Sequence, residues 1–316
     1  MKKVVLFCPY FGKLPKEQTR LWLKTCMKNS CIDWVLMTND RTDYNYPPNV
    51  KVIHITLEEL KRYIRKKFDF EISLEYGYKM CDYKPAYGYI FSDYVEGYDY
   101  WGHFDFTDAI MGNFEKLLGD VLECGYDKIG FLGHLSLYKN TKEVNTRFMM
   151  PTKTGRRLSE IYRTPENQAF DETFSYGIDH VFADNGFDIK RIDSLYVDIS
   201  TKKWPFMRAL WSEDFKWLRL LKKKYIFEWD NGALFKISIE ADRIVREEIL
   251  YAHYQKRKIK YEIDINNTEH FYLVPNAFIE YRPLSSKEIK EYTKDKIINP
   301  VSLNVKIKKI KKRIGK

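Results

Sequence analysis

YDYWGHFDFTDAIMGN, residues 98–113, is the stretch on which the fold turns. Tyr98, Tyr100 and Trp101 are aromatic, and strands favour such residues. Asp105 and Asp108 follow, with Thr107 between them. A short apolar run ending in carboxylates predicts a buried central strand that delivers acids to a sheet edge, where open α/β sheets bind ligands. Hard oxygen ligands at a strand end suit Mg²⁺ or Mn²⁺. The competing expectation is a pair of acids capping the following helix at its N-terminus.

The segments upstream agree with a central strand. Val4–Cys8 is a continuous apolar run, as a buried parallel strand requires, and Pro9-Tyr10-Phe11-Gly12 breaks it into a loop. Leu21, Leu23, Cys26 and Met27 recur at helical spacing, which predicts a helix over Pro15–Asn29. Trp34–Thr38 and Lys51–Ile55 read as further strands, and Thr56 with Glu59 opens a helix as a capping box. This order predicts a doubly wound α/β start. Tyr78–Tyr94 reads as a helix broken or entered near Pro85.

Downstream, Phe114–Cys124 reads helical and Asp127–Leu132 as a strand, with Gly133-His134 after it. From residue 191 the pattern turns β-rich, and Asn231-Gly232 between two apolar runs predicts a hairpin. Arg243–Ala252 fits a helix or a final strand. Val305–Lys316 places Ile307, Ile310 and Ile314 on one face of a basic amphipathic helix of the kind that lies on membrane surfaces.

Bulk composition narrows the classes. The chain has 316 residues, 44% hydrophobic and 16% aromatic, which supports a packed core and excludes global disorder. A net charge of +10 attracts phosphates of any source. Cys8, Cys26, Cys31, Cys81 and Cys124 are odd in number and form no CxxC pair, which fits reduced thiols in the cytoplasm. The first apolar run is too short for a signal peptide, and no stretch nears the 18 or so apolar residues of a membrane span. The GxGxxG and GxxxxGK[ST] patterns are both absent, so hydride transfer and P-loop chemistry lose support.

Several residues carry candidate chemistry. Pro9, Tyr10, Phe11 and Gly12 follow the first strand, where a nucleotide base and ribose would pack, and Asn39-Asp40 at the end of the second strand would bond uracil or ribose. Lys84 precedes the acid strand and is in reach of a phosphate. His253 leaves an apolar run just ahead of Lys256, Arg257 and Lys258, which suits an imidazole on a metal and cations on a diphosphate. Asp171 and Glu172 are candidates for the carboxylate that takes an acceptor hydroxyl's proton. Gly133-His134 would contact an acceptor. Each has a plainer alternative: a tight turn, an exposed lysine, a solvated acidic pair, a packed histidine.

PYFGKLP, WVLMTND, KMCDYKPAYGYIF, YDYWGHFDFTDAIMGN, DKIGFLGHLSLYKNT and AHYQKRKI together resemble the DUF6625-type bacterial glycosyltransferases of capsule and lipopolysaccharide biosynthesis, over about residues 1–260. The resemblance implies a GT-A-like (Rossmann-like) α/β fold, a mixed central sheet flanked by helices, to which the residues themselves add the C-terminal β-hairpin and the basic tail helix. The chain is read as a nucleotide-sugar-binding half at 1–125, an acceptor-side half of the same domain at 126–283 and a basic C-terminal tail at 284–316. Asp105 matches the first acid of the family's D-x-D pattern. Thr107 stands at the pattern's third position, so the second acid falls at Asp108. His253 matches the late metal-binding histidine, and Lys256 the diphosphate contact. The implied reaction is Mn²⁺- or Mg²⁺-assisted transfer of a sugar, hexosyltransferase-like, from a nucleotide-diphosphate donor to a saccharide acceptor, lipid-linked where the tail meets an anionic membrane from the cytoplasmic side. The rival expectation is a non-catalytic carbohydrate- or nucleic-acid-binding protein. No nucleic-acid motif appears, and the basic cluster lies in the tail.

Overall fold

The computed structural model describes residues 2–255 and 257–296. Lys256 and the tail segment 305–316 lie outside them. The chain divides into two compact units. The first holds Asn29–Phe106 and Phe114–Asp193 with the residues up to Thr19. The second holds Arg20–Lys28, Thr107–Asn113 and the residues from Ser194 onward.

The first unit is built on β1 (Val4–Tyr10), β2 (Ile32–Thr38), β3 (Val50–His54) and β4 (Tyr100–Phe104), all parallel, in the order β3-β2-β1-β4. β5 (Ala109–Met111) belongs to the second unit. β6 (Lys128–Ile129), β7 (Leu135–Lys139) and β8 (Ile189–Lys190) extend the first sheet as β4-β7-β6-β8, with β7 antiparallel to both its neighbours. The sheet is therefore mixed.

β1 does not stop at Cys8. It runs on through Pro9 and Tyr10 because both residues pair with β2, Tyr10 opposite Thr38. Every residue of β4 is buried, and Trp101 stacks on Tyr138 with ring centroids 4.4 Å apart. Gly102 sits in mid-strand for a steric reason. A Cβ there would lie 2.3 Å from the Ser136 carbonyl oxygen and 2.9 Å from Leu6 Cδ2. Gly102→Ala is expected to destabilise the first unit by about 1–3 kcal/mol, the range for overpacking a close-packed core, read from the urea midpoint of the full chain.

α1 (Lys16–Lys28) and α2 (Leu57–Arg65) follow β1 and β3. The expected capping box is present, with Thr56 and Glu59 satisfying each other's backbone N–H, and α2 buries Leu60 and Ile64. Gly77–Ala86 is a single 3-10 helix, with Pro85 near its end and a short α-turn, Tyr87–Ile90, after it. Buried polar pairs shape this segment. Lys79 donates to Asp82 at 2.7 Å and to the carbonyls of Ile161 and Glu166 at 3.0 Å, with no exposure of either partner of the ion pair. Asp82 in turn accepts from the backbone N–H of Gln168 and Phe170.

The second unit contains β9 (Tyr196–Asp198), β10 (Phe206–Trp211), β11 (Trp217–Asp230), β12 (Ala233–Glu240), β13 (Arg243–Ile249), β14 (Tyr251–His253), β15 (Lys260–Tyr261), β16 (His270–Val274) and β17 (Ala277–Glu280). The hairpin at Asn231-Gly232 is present, with both residues at positive φ (47° and 102°) as a two-residue turn of matching twist requires. It is one part of a larger sheet, β13-β12-β11-β16-β17-β15, with β10 on β11. Arg243–Ala252 is strand, not helix, because β13 pairs along its whole length with β12. The core of this sheet includes Trp229 stacked on Phe271 at 5.1 Å.

A separate three-stranded sheet, β5-β14-β9, completes the second unit. Its β5 follows the two acids directly, so the acids do not cap a helix. Ala109–Met111 is drawn into strand by antiparallel pairing with Tyr251–His253. The five cysteines are free thiols, and among the described residues no helix is long and apolar enough to cross a membrane.

Candidate functional site

In the first unit the parallel strands bring several sequence-predicted residues to one edge. Tyr10 ends β1, Asn39 and Asp40 follow β2, and Asp105 follows β4. β1 and β4 are neighbours, with the rest of the parallel set on the far side of β1, which is the point where strand order reverses. The Tyr10 ring meets Phe106 edge-on at 5.8 Å. Asn39 and Asp40 hold the loop after β1. The Asn39 side chain accepts from the Gly12 N–H at 2.8 Å and Asp40 from the Leu14 N–H at 2.7 Å. Asp40 also accepts from the hydroxyl and backbone N–H of Thr42, and these bonds keep its carboxyl below the usual range. The loop Pro9–Gly12 is thus braced from the end of β2.

Lys84 is buried rather than exposed, with 7% of its side chain accessible. Its ammonium donates to Asp105 Oδ1 at 2.7 Å, Asp171 Oδ2 at 2.9 Å and the Gly133 carbonyl at 2.6 Å. Burial opposes the charge on Lys84, and the two carboxylates outweigh it, so its pKa stands well above the ordinary lysine value. Asp171 is 4% exposed. Burial pushes its pKa up to about 6, Lys84 opposes that rise and Asp105 adds to it. Asp105 keeps 34% of its side chain accessible. Gly133 permits the cluster, since a Cβ there would lie 2.3 Å from Asp171 Oδ2. Sequence reasoning placed Lys84, Asp105 and Asp171 in three separate roles. The structure brings them into one cluster, with Glu172 half-buried at the next position.

In the second unit, strand register assembles a different group. His253 pairs with Asp198 across parallel β14 and β9, and with Ala109 across antiparallel β14 and β5. His253 Nδ1 lies 2.9 Å from Asp198 Oδ1, and Gln255 Nε2 donates to the same oxygen at 3.0 Å. Asp108 is fixed beside them because its carbonyl accepts from the Tyr254 N–H at 2.8 Å. His253 Nε2 then faces Asp108 Oδ1 at 3.7 Å. A carboxylate behind Nδ1 takes that nitrogen's proton in a hydrogen bond and leaves the Nε2 lone pair directed outward. A gap of 3.7 Å is too long for a hydrogen bond and is in the range spanned by two ligands of one ion. One imidazole and one carboxylate form a donor set that Mn²⁺ accepts readily and Mg²⁺ less so.

A second histidine of this unit shows the contrast. His270 Nε2 lies 2.7 Å from Glu228, but Arg246 grips both oxygens of Glu228 at 2.8 and 3.2 Å. The guanidinium already neutralises that carboxylate, so the Glu228–Asp230–His270 cluster is a structural ion-pair network. An open cavity of about 570 Å³ in the first unit, lined by Lys67, Tyr89, Asp93, Glu96 and Asn140 among others, contains none of the sequence-predicted site residues.

Asp198 is a residue that sequence reasoning passed over, whereas Gly133, read there as an acceptor contact, leaves room for the Asp171 carboxylate. Asp198 lies in a short apolar run whose partner is more than fifty positions away, and only strand register reveals it. Neither a curated protein nor a solved structure matches the chain. The DUF6625 family, described as a family of unknown function, matches residues 6–282, and the chain therefore belongs to it.

Proposed function

We propose that this protein is a divalent-metal-assisted glycosyltransferase of GT-A type, which moves a sugar from a nucleotide-diphosphate donor to a saccharide acceptor in bacterial surface-polysaccharide biosynthesis. The observation that carries the reading is the carboxyl edge of the first sheet. Its parallel order, β3-β2-β1-β4, is that of a mononucleotide-binding half, and Tyr10, the braced loop and Asp105 meet at its switch point. In this reading the Tyr10 ring packs on the base. Lys84 and Asp171 act as positioning residues for Asp105, because the ammonium that holds Asp105 is itself held by Asp171.

In the transfer, the bond from the anomeric carbon to the diphosphate oxygen breaks and its electron pair leaves with the diphosphate. The acceptor hydroxyl oxygen forms the new bond as its proton passes to a carboxylate. The two acceptor-side candidates for that carboxylate are Asp171, which Lys84 holds, and Glu172 beside it. A bound divalent ion supplies charge stabilisation to the leaving diphosphate. Asp108 and His253 would hold it, with Asp198 orienting the imidazole.

The test is a thermal-shift panel of UDP and GDP with and without Mn²⁺, followed by donor turnover in chelator. A ligand at one hundred times its Kd adds about 2.7 kcal/mol to stability. A rise in melting temperature of several degrees is expected with nucleotide and Mn²⁺ together. No shift with any nucleotide diphosphate would sink the reading. Full turnover in excess chelator would remove the metal from it.

A further inference from the structure

We infer that the ribbon formed by β10 and the first part of β11 is a docking surface for an anionic lipid bilayer, a role separate from the donor chemistry. β11 is fourteen residues long, but its pairing with β12 and β16 starts only at Ile226 and Phe227. Among the described residues, the strand pairing of 217–224 is with β10 alone. This stretch is therefore a two-stranded ribbon without the sheet neighbours that would cover its side chains.

What the ribbon presents is apolar and cationic together. Trp217 is 45% exposed and Leu218 50%. The register explains Leu218. Arg219 pairs with Leu210 and Trp217 with Trp211, so a bulge leaves Leu218 as the extra residue, without a cross-strand partner. Segment 202–224 carries eight cations against two acids. Some of these charges are already spent. Asp214 pairs with Lys216, Lys223 with Glu240 and Glu247, and Lys224 with Asp295. Arg219 adjoins the exposed pair in the sequence, and the Lys202 ammonium lies 4.3 Å from the Trp217 ring centroid.

Lysines on an open strand edge ordinarily guard against pairing with another chain. An exposed Trp beside an exposed Leu works against that guard, so edge protection does not account for the pattern. A bilayer interface does. Indole settles at the level of the headgroups, leucine enters the acyl boundary, and the cations meet anionic lipid. The charge complementarity selects an anionic leaflet over a neutral one.

The full chain is used in every arm, so residues 297–316 contribute equally throughout. Sedimentation with phosphatidylcholine vesicles is compared with vesicles containing 30% phosphatidylglycerol. Wild type is expected to bind only the anionic vesicles. Trp217→Ser with Leu218→Ser, and separately Arg219→Glu with Lys222→Glu, are each expected to lower partitioning at least tenfold while the melting temperature stays unchanged. Brominated lipid is expected to quench the tryptophan fluorescence of wild type, and Trp217→Phe to lose most of that quenching while still binding. Equal binding by wild type and both double variants overturns the inference, as does failure of wild type to bind anionic vesicles. If the double variants lose affinity for single-stranded RNA but keep their affinity for vesicles, the face is a nucleic-acid surface and the inference falls.

Discussion

In the His253→Ala variant, Mn²⁺ affinity and donor turnover are both expected to fall by about 100-fold or more, because the one nitrogen ligand is removed from the proposed ion. Asp198 makes this prediction sharper than a simple loss of function. Asp198→Asn keeps an oxygen that can accept from His253 Nδ1 but removes the charge behind the ring, and Asp198→Ala removes both. Outer-shell changes of this kind cost about 10–100-fold in metal affinity. The expected order of Mn²⁺ affinity, measured by titration calorimetry, is wild type, then Asn, then Ala, then His253→Ala. If His253→Ala binds Mn²⁺ as wild type does, the ligand assignment is wrong. If His253→Ala loses the ion while both Asp198 variants keep it, the carboxylate has no positioning role.

The second large effect concerns Lys84. Removing one partner of a buried ion pair costs about 3–5 kcal/mol, because the other charge stays buried without compensation. Lys84→Met leaves Asp171 in that position, and Asp105 to a lesser degree because it is one-third exposed. The variant's urea midpoint at pH 7 is expected to fall accordingly. The pH dependence follows from signs. Asp171 has its folded pKa raised, to about 6, so the folded state holds that proton more tightly than the unfolded chain does. Its contribution to stability is present at low pH and is lost as pH rises from the ordinary carboxylate range through about 6. Lys84 also has a raised folded pKa, so its contribution is present throughout that window. Without Lys84 the Asp171 pKa rises further. Lys84→Met should therefore regain part of its lost stability between pH 7 and pH 5, by more than wild type gains. Equal pH responses in the two proteins would show that Asp171 does not depend on Lys84.

How much of this was legible depends on the range of each interaction. Val4–Cys8, Trp34–Thr38 and the capping box at Thr56 are local signals, and each became the expected element because its partners lie nearby in the sheet or in its own turn. Asn231-Gly232 was legible for the same reason. Of the rest of the second sheet, Arg243–Ala252 had a strand among its alternatives, and the other strands were not legible. β11 mixes Leu and Lys without clean alternation, and β16 and β17 are held by pairing with each other and with β11 rather than by any local pattern. Residues 77–86 were legible as helical, but the burial of Lys79, Asp82 and Lys84 was not, because it depends on carbonyl and carboxylate partners distant in the chain. Among the candidate site residues, types and neighbourhoods could be read. The partnership of Lys84 with Asp171, and that of His253 with Asp198, could not, since both depend on segments far apart in the chain.

The three-stranded sheet also bears on when the chain becomes competent. β14 lies between β5 and β9, yet it is the last of the three to be synthesised. A nascent chain that has not reached residue 251 lacks the strand with which both β5 and β9 pair, so Asp108 and Asp198 are not yet set beside one imidazole. Pairing across such separations closes long loops and comes late in folding. A one-residue slip of β14 would turn the His253 side chain to the opposite face. The proposed ion site thus waits on the strand made last, and a polypeptide that ends before β14 would lack the imidazole proposed as a ligand.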